Sequence, residues 1–131
     1  MARVLFVCKQ NAGRSQMSAA LFQRIAKSCH ESRSAGTRPA EHVHPVVVDA
    51  MREIGIDVSQ RRPQALTDDL ANWADVVVTM GCGDECPYIP GKRYIDWDLE
   101  DPAGQPIDAV RRTRDEIGRR VRDLKSMLDS R

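Results

Sequence analysis

The sequence predicts an α/β domain in three layers, with a four-stranded parallel sheet between helices that cover both of its faces. Short apolar runs alternate along the chain with segments whose apolar residues recur at helical spacing, which is typical of parallel sheets. The 131 residues show neither an internal repeat nor a linker-like stretch, so we expect a single domain over residues 1–131.

The first half of the chain predicts two strands and two helices. Residues 3–7 are apolar and partly β-branched, as in a strand buried on both faces. A helix should follow over residues 15–27, with Ser15 as its N-cap. A weaker strand is expected over residues 30–35. A second helix should then start at a proline and end near residue 54, because proline suits the first helical turn.

The second half predicts the remaining elements. A short helix should begin at Thr67 or Asp68 and reach residue 72. Residues 75–80 contain three consecutive valines and give the clearest strand. A fourth strand is expected over residues 93–95. The last helix should cover residues 107–128, whose apolar positions recur every three or four residues.

Three of the predicted loops leave the carboxyl ends of strands, where parallel sheets bind their ligands. They follow Val7, Met80 and Ile95. These loops contain Cys8, Cys82, Cys86 and Asp101. We therefore expect the chemistry of the protein at this edge of the sheet.

The loop after the first strand has the pattern of an oxyanion site. It reads Cys8-Lys9-Gln10-Asn11-Ala12-Gly13-Arg14-Ser15. A loop that enters a helix N-terminus points several backbone N–H groups at one place, and the helix dipole adds positive potential. The small residues at 12 and 13 allow a tight turn, and the arginine can bind an oxyanion with two hydrogen bonds.

Cys8 is the candidate nucleophile of this loop. The positive field favours its thiolate form, and Ser15 can donate a hydrogen bond to the sulfur. A thiolate below a bound oxyanion is aimed at the central atom of that anion. The alternative is a cysteine that only packs at the end of a buried strand. The strand before the loop and the helix after it favour the catalytic interpretation.

Asp101 is a candidate general acid, because an oxygen that leaves an oxyanion leaves more readily when it is protonated. The same Asp-Pro pair is also a common turn, and the spacing does not choose between these roles.

Cys82 and Cys86 are separated by three residues in a glycine-containing loop. Two thiols near a reactive thiolate can form a disulfide relay, in which one attacks the oxidised cysteine and the other resolves the mixed disulfide. The alternative is half of a zinc site, but Cys29 and the histidines lack the paired spacing that zinc ligands show. We assign no metal, and Cys29 is interpreted as a packing residue.

Composition limits the remaining function classes. Charged residues make up 30% of the chain and the formal net charge is +1, which argues against a nucleic-acid binder. The apolar run that ends at Cys8 is too short for a signal segment or a membrane span, so we expect no membrane partner and a cytoplasmic location. Cytoplasmic thiols are kept reduced, which favours a catalytic or metal-binding role for the four cysteines over structural disulfides.

Over essentially its whole length the sequence resembles the arsenate reductases that share the low-molecular-weight protein tyrosine phosphatase fold. The motifs are Val-Leu-Phe-Val-Cys-x5-Arg-Ser-Gln-Met at 4–17, Ser-Ala-Gly-Thr at 34–37, Asp-Val-Val-Val-Thr-Met at 75–80, Trp-Asp-Leu-Glu-Asp-Pro-Ala-Gly at 97–104 and Arg-Asp-Glu-Ile at 114–117. The cysteine pair and the Asp-Pro-Ala-Gly segment favour the reductase branch. The phosphatase branch typically has a tyrosine near its Asp-Pro and lacks the pair.

The resemblance implies a mechanism in which arsenate binds in the loop over residues 8–14. Cys8 attacks arsenic while Asp101 protonates the departing oxygen. Cys82 then attacks Cys8 and arsenite leaves, and Cys86 forms a disulfide with Cys82. Thioredoxin, recharged by NADPH through its reductase, would reduce that disulfide. The resemblance implies a monomer with no bound cofactor.

Two rivals share this resemblance. A tyrosine phosphatase would use Cys8, Arg14 and Asp101 in the same way and leave the cysteine pair idle. A reductase that takes electrons from mycothiol or glutathione usually lacks the pair. A rival of another class, an arsenite or zinc sensor, usually carries a DNA-reading helix-turn-helix, of which the sequence shows no clear example.

The sequence departs from the family pattern in three places. The spacing of the cysteine pair is shorter than in the best-known thioredoxin-coupled members. Asn11 and Ser34 match the cation site of the potassium-binding members, but those members carry acids where this chain has Ala19 and near Gln64, so the sequence does not predict whether potassium binds. Gly13 stands where many relatives have a second cysteine.

Overall fold

The computed structural model describes residues 1–82, 88 and 90–130. The elements in chain order are β1 (Arg3–Cys8), α1 (Arg14–Ala26), β2 (Glu31–Gly36), α2 (Pro45–Arg52), α3 (Asp68–Trp73), β3 (Val76–Thr79), β4 (Arg93–Asp96) and α4 (Ile107–Asp129). The four strands form one parallel sheet, as predicted, and their order in the sheet is β2-β1-β3-β4.

The central strand β1 lies between β2 and β3, and all of its residues after Arg3 are buried. The register pairs Cys8 with Gly36 of β2 and Val7 with Thr79 of β3. The carboxyl ends of the three strands therefore lie side by side. This is the edge at which the sequence places the candidate chemistry.

The side chains of β1 alternate between two apolar clusters, as the pleat of a strand requires. Phe6 and Cys8 belong to a large cluster that includes buried side chains of α1, α2 and α4. Leu5 and Val7 belong to a smaller cluster with Leu70 of α3. Helices therefore cover both faces of the sheet, which confirms the predicted three layers.

The start of α1 differs from the prediction. The helix begins at Arg14, and Gly13 holds the N-cap position without a side-chain hydrogen bond. Ser15 was expected to cap the helix, but its hydroxyl contacts Cys8 and Asn11 instead. Thr67, in contrast, caps α3 as predicted, since its hydroxyl accepts from the Leu70 backbone N–H at 3.2 Å.

The other predicted elements, α2 included, lie within two residues of the observed ones. Helix α2 ends at Arg52, and turns lead on to Gly55 with φ of 81°. None of the helices in the described ranges has the length and apolarity that a membrane crossing requires.

Candidate active site

The loop between β1 and α1 is anchored through its carbonyl groups. Backbone N–H groups of Thr37, Arg38, Ala40 and His44 donate at 2.7–3.2 Å to the carbonyls of Cys8, Lys9, Gln10 and Ala12, respectively. In the described part of the chain, no hydrogen bond outside the regular elements is donated by a backbone N–H of residues 9–13. These donors, next to the N-terminus of α1, are therefore available to an oxyanion.

Gly36 allows the loop to lie close against the end of β2. A Cβ atom on this residue would lie 2.7 Å from the Lys9 carbonyl oxygen and 2.9 Å from the Asn11 backbone nitrogen. Asn11 itself has φ of 52°, in the left-handed region that asparagine tolerates better than most residues. The close packing of the loop against Gly36 and the left-handed conformation of Asn11 together give the loop its curvature.

Cys8 lies at the base of this loop and is buried, with 2% of its surface exposed. Its Sγ is 2.9 Å from the Ser15 Oγ. The Asn11 Nδ2 donates to the same hydroxyl at 2.7 Å. Because the serine oxygen accepts from Asn11, its own proton can be donated to the sulfur. A hydroxyl held in this way can donate to a thiolate, which is the role that the sequence predicts for Ser15.

Arg14 projects from the first turn of α1 to the edge of the sheet, and its side chain is 8% exposed. One guanidinium nitrogen donates to the Leu99 carbonyl at 3.4 Å, and the other lies 3.5 Å from an Asp101 carboxylate oxygen. Its buried Nε has no hydrogen-bond partner among the described residues. Leaving such a group unpaired costs about 1–3 kcal/mol, so a tetrahedral oxyanion that accepts from it would recover this energy.

Gly81 accommodates the arginine. A Cβ on Gly81 would overlap the Arg14 guanidinium, and its φ of 79° is in the left-handed region. The absence of a side chain at Gly81, two residues beyond the end of β3, therefore leaves room for the side chain that is expected to bind the anion.

Asp101 lies opposite this arginine with 53% of its side chain exposed. Its Oδ1 accepts from the Ala103 backbone N–H at 3.0 Å, which is an Asx turn, while Oδ2 faces Arg14. The two interpretations from the sequence, turn and acid, are therefore compatible. One oxygen shapes the turn, and the other is directed toward the loop.

Of the two cysteines after β3, only Cys82 lies among the residues that the structure describes. Cys82 is buried and disulfide-bonded, whereas Cys8 and Cys29 are free. Cys82 packs in the cluster of α3, on the other face of the sheet from Cys8. Cys86 lies outside the described residues.

Some features of the site were not predicted from the sequence. Gln16, within a motif but without an assigned role, is almost fully buried and contacts Asn11. The segment over residues 37–44 had no predicted function, although it anchors the loop. The sequence offered one signal for the role of Gln16, which is its position among the small and apolar residues of the predicted helix. In the described ranges, no cluster of three or more His, Cys, Asp or Glu side chains could hold a metal ion.

A central strand that ends in a cysteine, an arginine at the following helix N-terminus and a facing carboxylate define a phosphatase-like class of domain. The family model of the low molecular weight phosphotyrosine protein phosphatases matches residues 3–131. The chain belongs to this family.

Three relatives place the chain more closely. A Halobacterium salinarum protein named "Putative arsenate reductase" is 44% identical over 124 residues, which are 91% of this chain and 87% of that protein. A Synechocystis protein named "Glutaredoxin arsenate reductase" is 34% identical over 127 residues, with 95% and 96% covered. The structure of a thioredoxin-dependent arsenate reductase from Corynebacterium glutamicum superposes with a TM-score of 0.83 at 43% identity. The superposition covers 100% of this chain and 63% of the longer Corynebacterium chain.

Proposed function

We propose that this chain reduces arsenate to arsenite, with Cys8 as the nucleophile. The observation that carries the proposal is the contact of the Cys8 sulfur with Ser15 at 2.9 Å, beneath the available N–H groups of the loop. The names of the relatives supply the substrate, because arsenate and phosphate are tetrahedral oxyanions that the same loop would accept. Arsenic accepts two electrons from thiols readily and phosphorus does not.

The first step forms a sulfur–arsenic bond. The Cys8 thiolate attacks arsenic of the bound arsenate, and one oxygen leaves as water after it takes a proton from Asp101. The loop N–H groups and Arg14 bind the remaining oxygens and stabilise their charge. Arsenic is still in its +5 state at this point, so the step requires no electron donor.

The second step transfers two electrons to arsenic. The Cys82 sulfur attacks the Cys8 sulfur, a disulfide forms, and the electron pair of the sulfur–arsenic bond stays on arsenic, which leaves as arsenite. Cys86 then attacks Cys82, which frees Cys8 and leaves a disulfide between Cys82 and Cys86. The disulfide-bonded state of Cys82, beside a free Cys8, supports Cys82 as a redox-active member of this relay.

The electron donor in the proposal is thioredoxin, which is itself recharged by NADPH through thioredoxin reductase. A dithiol protein can reduce a closed disulfide on this chain and leave with the two oxidising equivalents. The name of the Corynebacterium relative supports this donor, while the name of the Synechocystis relative includes glutaredoxin. Donor exchange experiments with thioredoxin, glutaredoxin, glutathione and mycothiol discriminate these cases.

A second candidate is phosphatase activity, which the family membership favours. It would use Cys8, Arg14 and Asp101 and would not need Cys82 or Cys86. Replacing both members of the pair with serine would leave hydrolysis of an aryl phosphate unchanged, but should abolish repeated arsenate reduction.

The deciding experiment is a single turnover without external thiol. The protein is reduced, freed of reductant and mixed with arsenate, and arsenite is then counted while disulfides are mapped by mass spectrometry. We expect about one arsenite per chain together with a Cys82–Cys86 disulfide, since three thiols supply one two-electron reduction. Cys29→Ser is the matched control and should behave like the unmodified chain. Absence of arsenite with every cysteine still reduced would overturn the proposal.

A further inference from the structure

A second layer of polar side chains lies behind the candidate oxyanion loop. Gln16 of α1 is 1% exposed, and its Nε2 donates to the Asn11 carbonyl at 3.1 Å and to the Asn11 Oδ1 at 3.2 Å. The same nitrogen is 3.4 Å from the Arg62 carbonyl. The Gln16 Oε1 accepts from the Arg61 Nε at 2.8 Å. Every polar atom of this buried amide is therefore paired.

The hydrogen bonds run in one direction, from Arg61 to the nucleophile. Asn11 accepts from Gln16 through Oδ1, and it donates to Ser15 through Nδ2. Ser15 then contacts the Cys8 sulfur. Each amide accepts at one end and donates at the other, so polarisation of one bond strengthens the next.

The first member of this chain is a cation without a carboxylate partner among the described residues. Arg61 is half-buried, and burial holds the pKa of its guanidinium below the usual range. An arginine nevertheless stays charged at neutral pH. Among the described residues, the Arg61 side chain makes its hydrogen bond to the Gln16 Oε1. A desolvated charge in contact with a buried amide polarises that amide.

We propose that Arg61 and Gln16 are positioning residues that stabilise the Cys8 thiolate through Asn11 and Ser15. The inference rests on the proposed function only in taking Cys8 as the nucleophile. Gln16 fixes the asparagine in its left-handed conformation and orients the amide nitrogen toward the serine hydroxyl. Arg61 adds its charge through the Gln16 carbonyl oxygen.

Several other charged or titratable groups lie in or near the loop and stay unchanged in the Arg61 variants. They come from the loop itself, from α1, from β2 and the segment after it, from the segments on either side of α2 and from the loop before α4: Lys9, Arg14, Arg33, Arg38, His44, Arg62 and Asp101. Arg62 is the most useful of these. It carries the same charge one residue away, and among the described residues its side chain makes no hydrogen bond to Gln16, whose hydrogen bond with Arg62 is to the backbone carbonyl.

The test measures how fast iodoacetamide alkylates Cys8 in the reduced full-length protein as a function of pH, with each cysteine followed in its own peptide by mass spectrometry. For Arg61→Gln we expect the Cys8 rate on the acidic side of the profile to fall about two- to threefold. The profile moves to higher pH while its upper plateau stays the same. Arg61→Lys should recover part of the rate, because a lysine can still donate to Gln16.

Two controls separate the relay from general effects. Arg62→Gln removes an equal charge without breaking the chain of hydrogen bonds, so it should leave the Cys8 profile in place. The exposed Cys29 reports reagent reactivity in every variant. Gln16→Leu should shift the profile further than Arg61→Gln. The Arg61 variants change only a half-buried side chain and keep the test valid if the leucine variant fails to fold.

The outcomes are distinct from those of the arsenate experiment, since no arsenate is present. An Arg61→Gln shift with no Arg62→Gln shift and no change at Cys29 supports the relay. Equal shifts in Arg61→Gln and Arg62→Gln would mean that the arginine charge acts through space. An unmoved profile in Arg61→Gln would mean that the chain of hydrogen bonds does not carry the effect of Arg61 to Cys8. Either result overturns the proposal. Arsenate reduction can succeed or fail independently of these results.

Discussion

Gly13 and Pro102 are in such close contact that any side chain at position 13 would collide with the proline. A Cβ on Gly13 would lie 2.5 Å from the Pro102 Cγ and 3.3 Å from its Cδ. The φ of Gly13 is −141°, so the glycine is not required by a left-handed backbone. It is required because the loop that carries Asp101 approaches the oxyanion loop at this point.

Gly13→Ala should therefore reduce arsenate turnover by moving the Asp101 loop away from Cys8. We expect a loss of about 10- to 100-fold, as displacements near 1 Å can produce. The loss is measured as the steady-state rate of arsenate reduction with the thioredoxin system as electron donor. Gly118→Ala is the control, because its Cβ would meet only the Arg122 side chain at 3.6 Å. Equal losses in both variants would show that the contact with Pro102 is unimportant.

Gly81→Ala should displace Arg14 and weaken oxyanion binding. The matched control is Gly55→Ala, which has φ of 81° against 79° at Gly81 but no atom within 4 Å of the added Cβ. Both variants should lose about 1–2 kcal/mol of stability, since alanine is disfavoured in the left-handed region. Only the Gly81 variant should raise the arsenate concentration needed for half-maximal rate. If Gly55→Ala has the same kinetic effect, strain rather than the arginine is responsible.

Asp101→Asn should slow the reaction by about 10²- to 10⁴-fold, the usual range for loss of a general acid. Asparagine retains an Oδ1 that can accept from the Ala103 N–H, so the turn should persist. Rapid quench of the first arsenite release measures the chemical step directly. Asp98→Asn, an exposed acid in the same segment, is the control. An unimpaired Asp101→Asn enzyme would leave Asp101 with its turn role alone.

Much of the fold was predictable because the periodic signals are strong. The valines of β3 and the apolar residues of β1 gave the central strands, and parallel topology then placed Cys8 and the residues after Thr79 at one edge. Thr67 was correctly predicted as a cap because no other role competes for its hydroxyl. These elements follow from local chemistry.

The interior of the site was less predictable, because it depends on contacts between distant segments. Ser15 has the residue type of an N-cap, yet tertiary contacts with Cys8 and Asn11 use its hydroxyl. The anchoring of the loop by residues 37–44 has no local signature. The sequence marks Gly13 as a departure from the family, but only the structure shows that a side chain at this position would meet Pro102.

Glu53 gives a prediction for stability against pH that does not involve the site. It follows α2 and accepts from Arg111 and Arg114 of α4, and its pKa is lowered from 4.5 to about 2, first by Arg111 and then by Arg114. A carboxyl group with a depressed pKa in the folded state stabilises the fold above its unfolded pKa. That stabilisation is lost as pH falls from about 4.5 toward 2.

Glu53→Gln should therefore lower the Tm at pH 7 by an amount that shrinks as pH falls through this window. Thermal unfolding at pH 7, 5, 4 and 3 measures the difference between the variant and the unmodified chain. Glu116→Gln is the control, since the ion pairs of Glu116 among the described residues are with Arg119 and Arg120 of its own helix. Its effect on Tm should be smaller at every pH. A Glu53→Gln difference that stays constant from pH 7 to pH 3 would show that the charge of Glu53 does not join α2 to α4, and that the variant acts through packing alone.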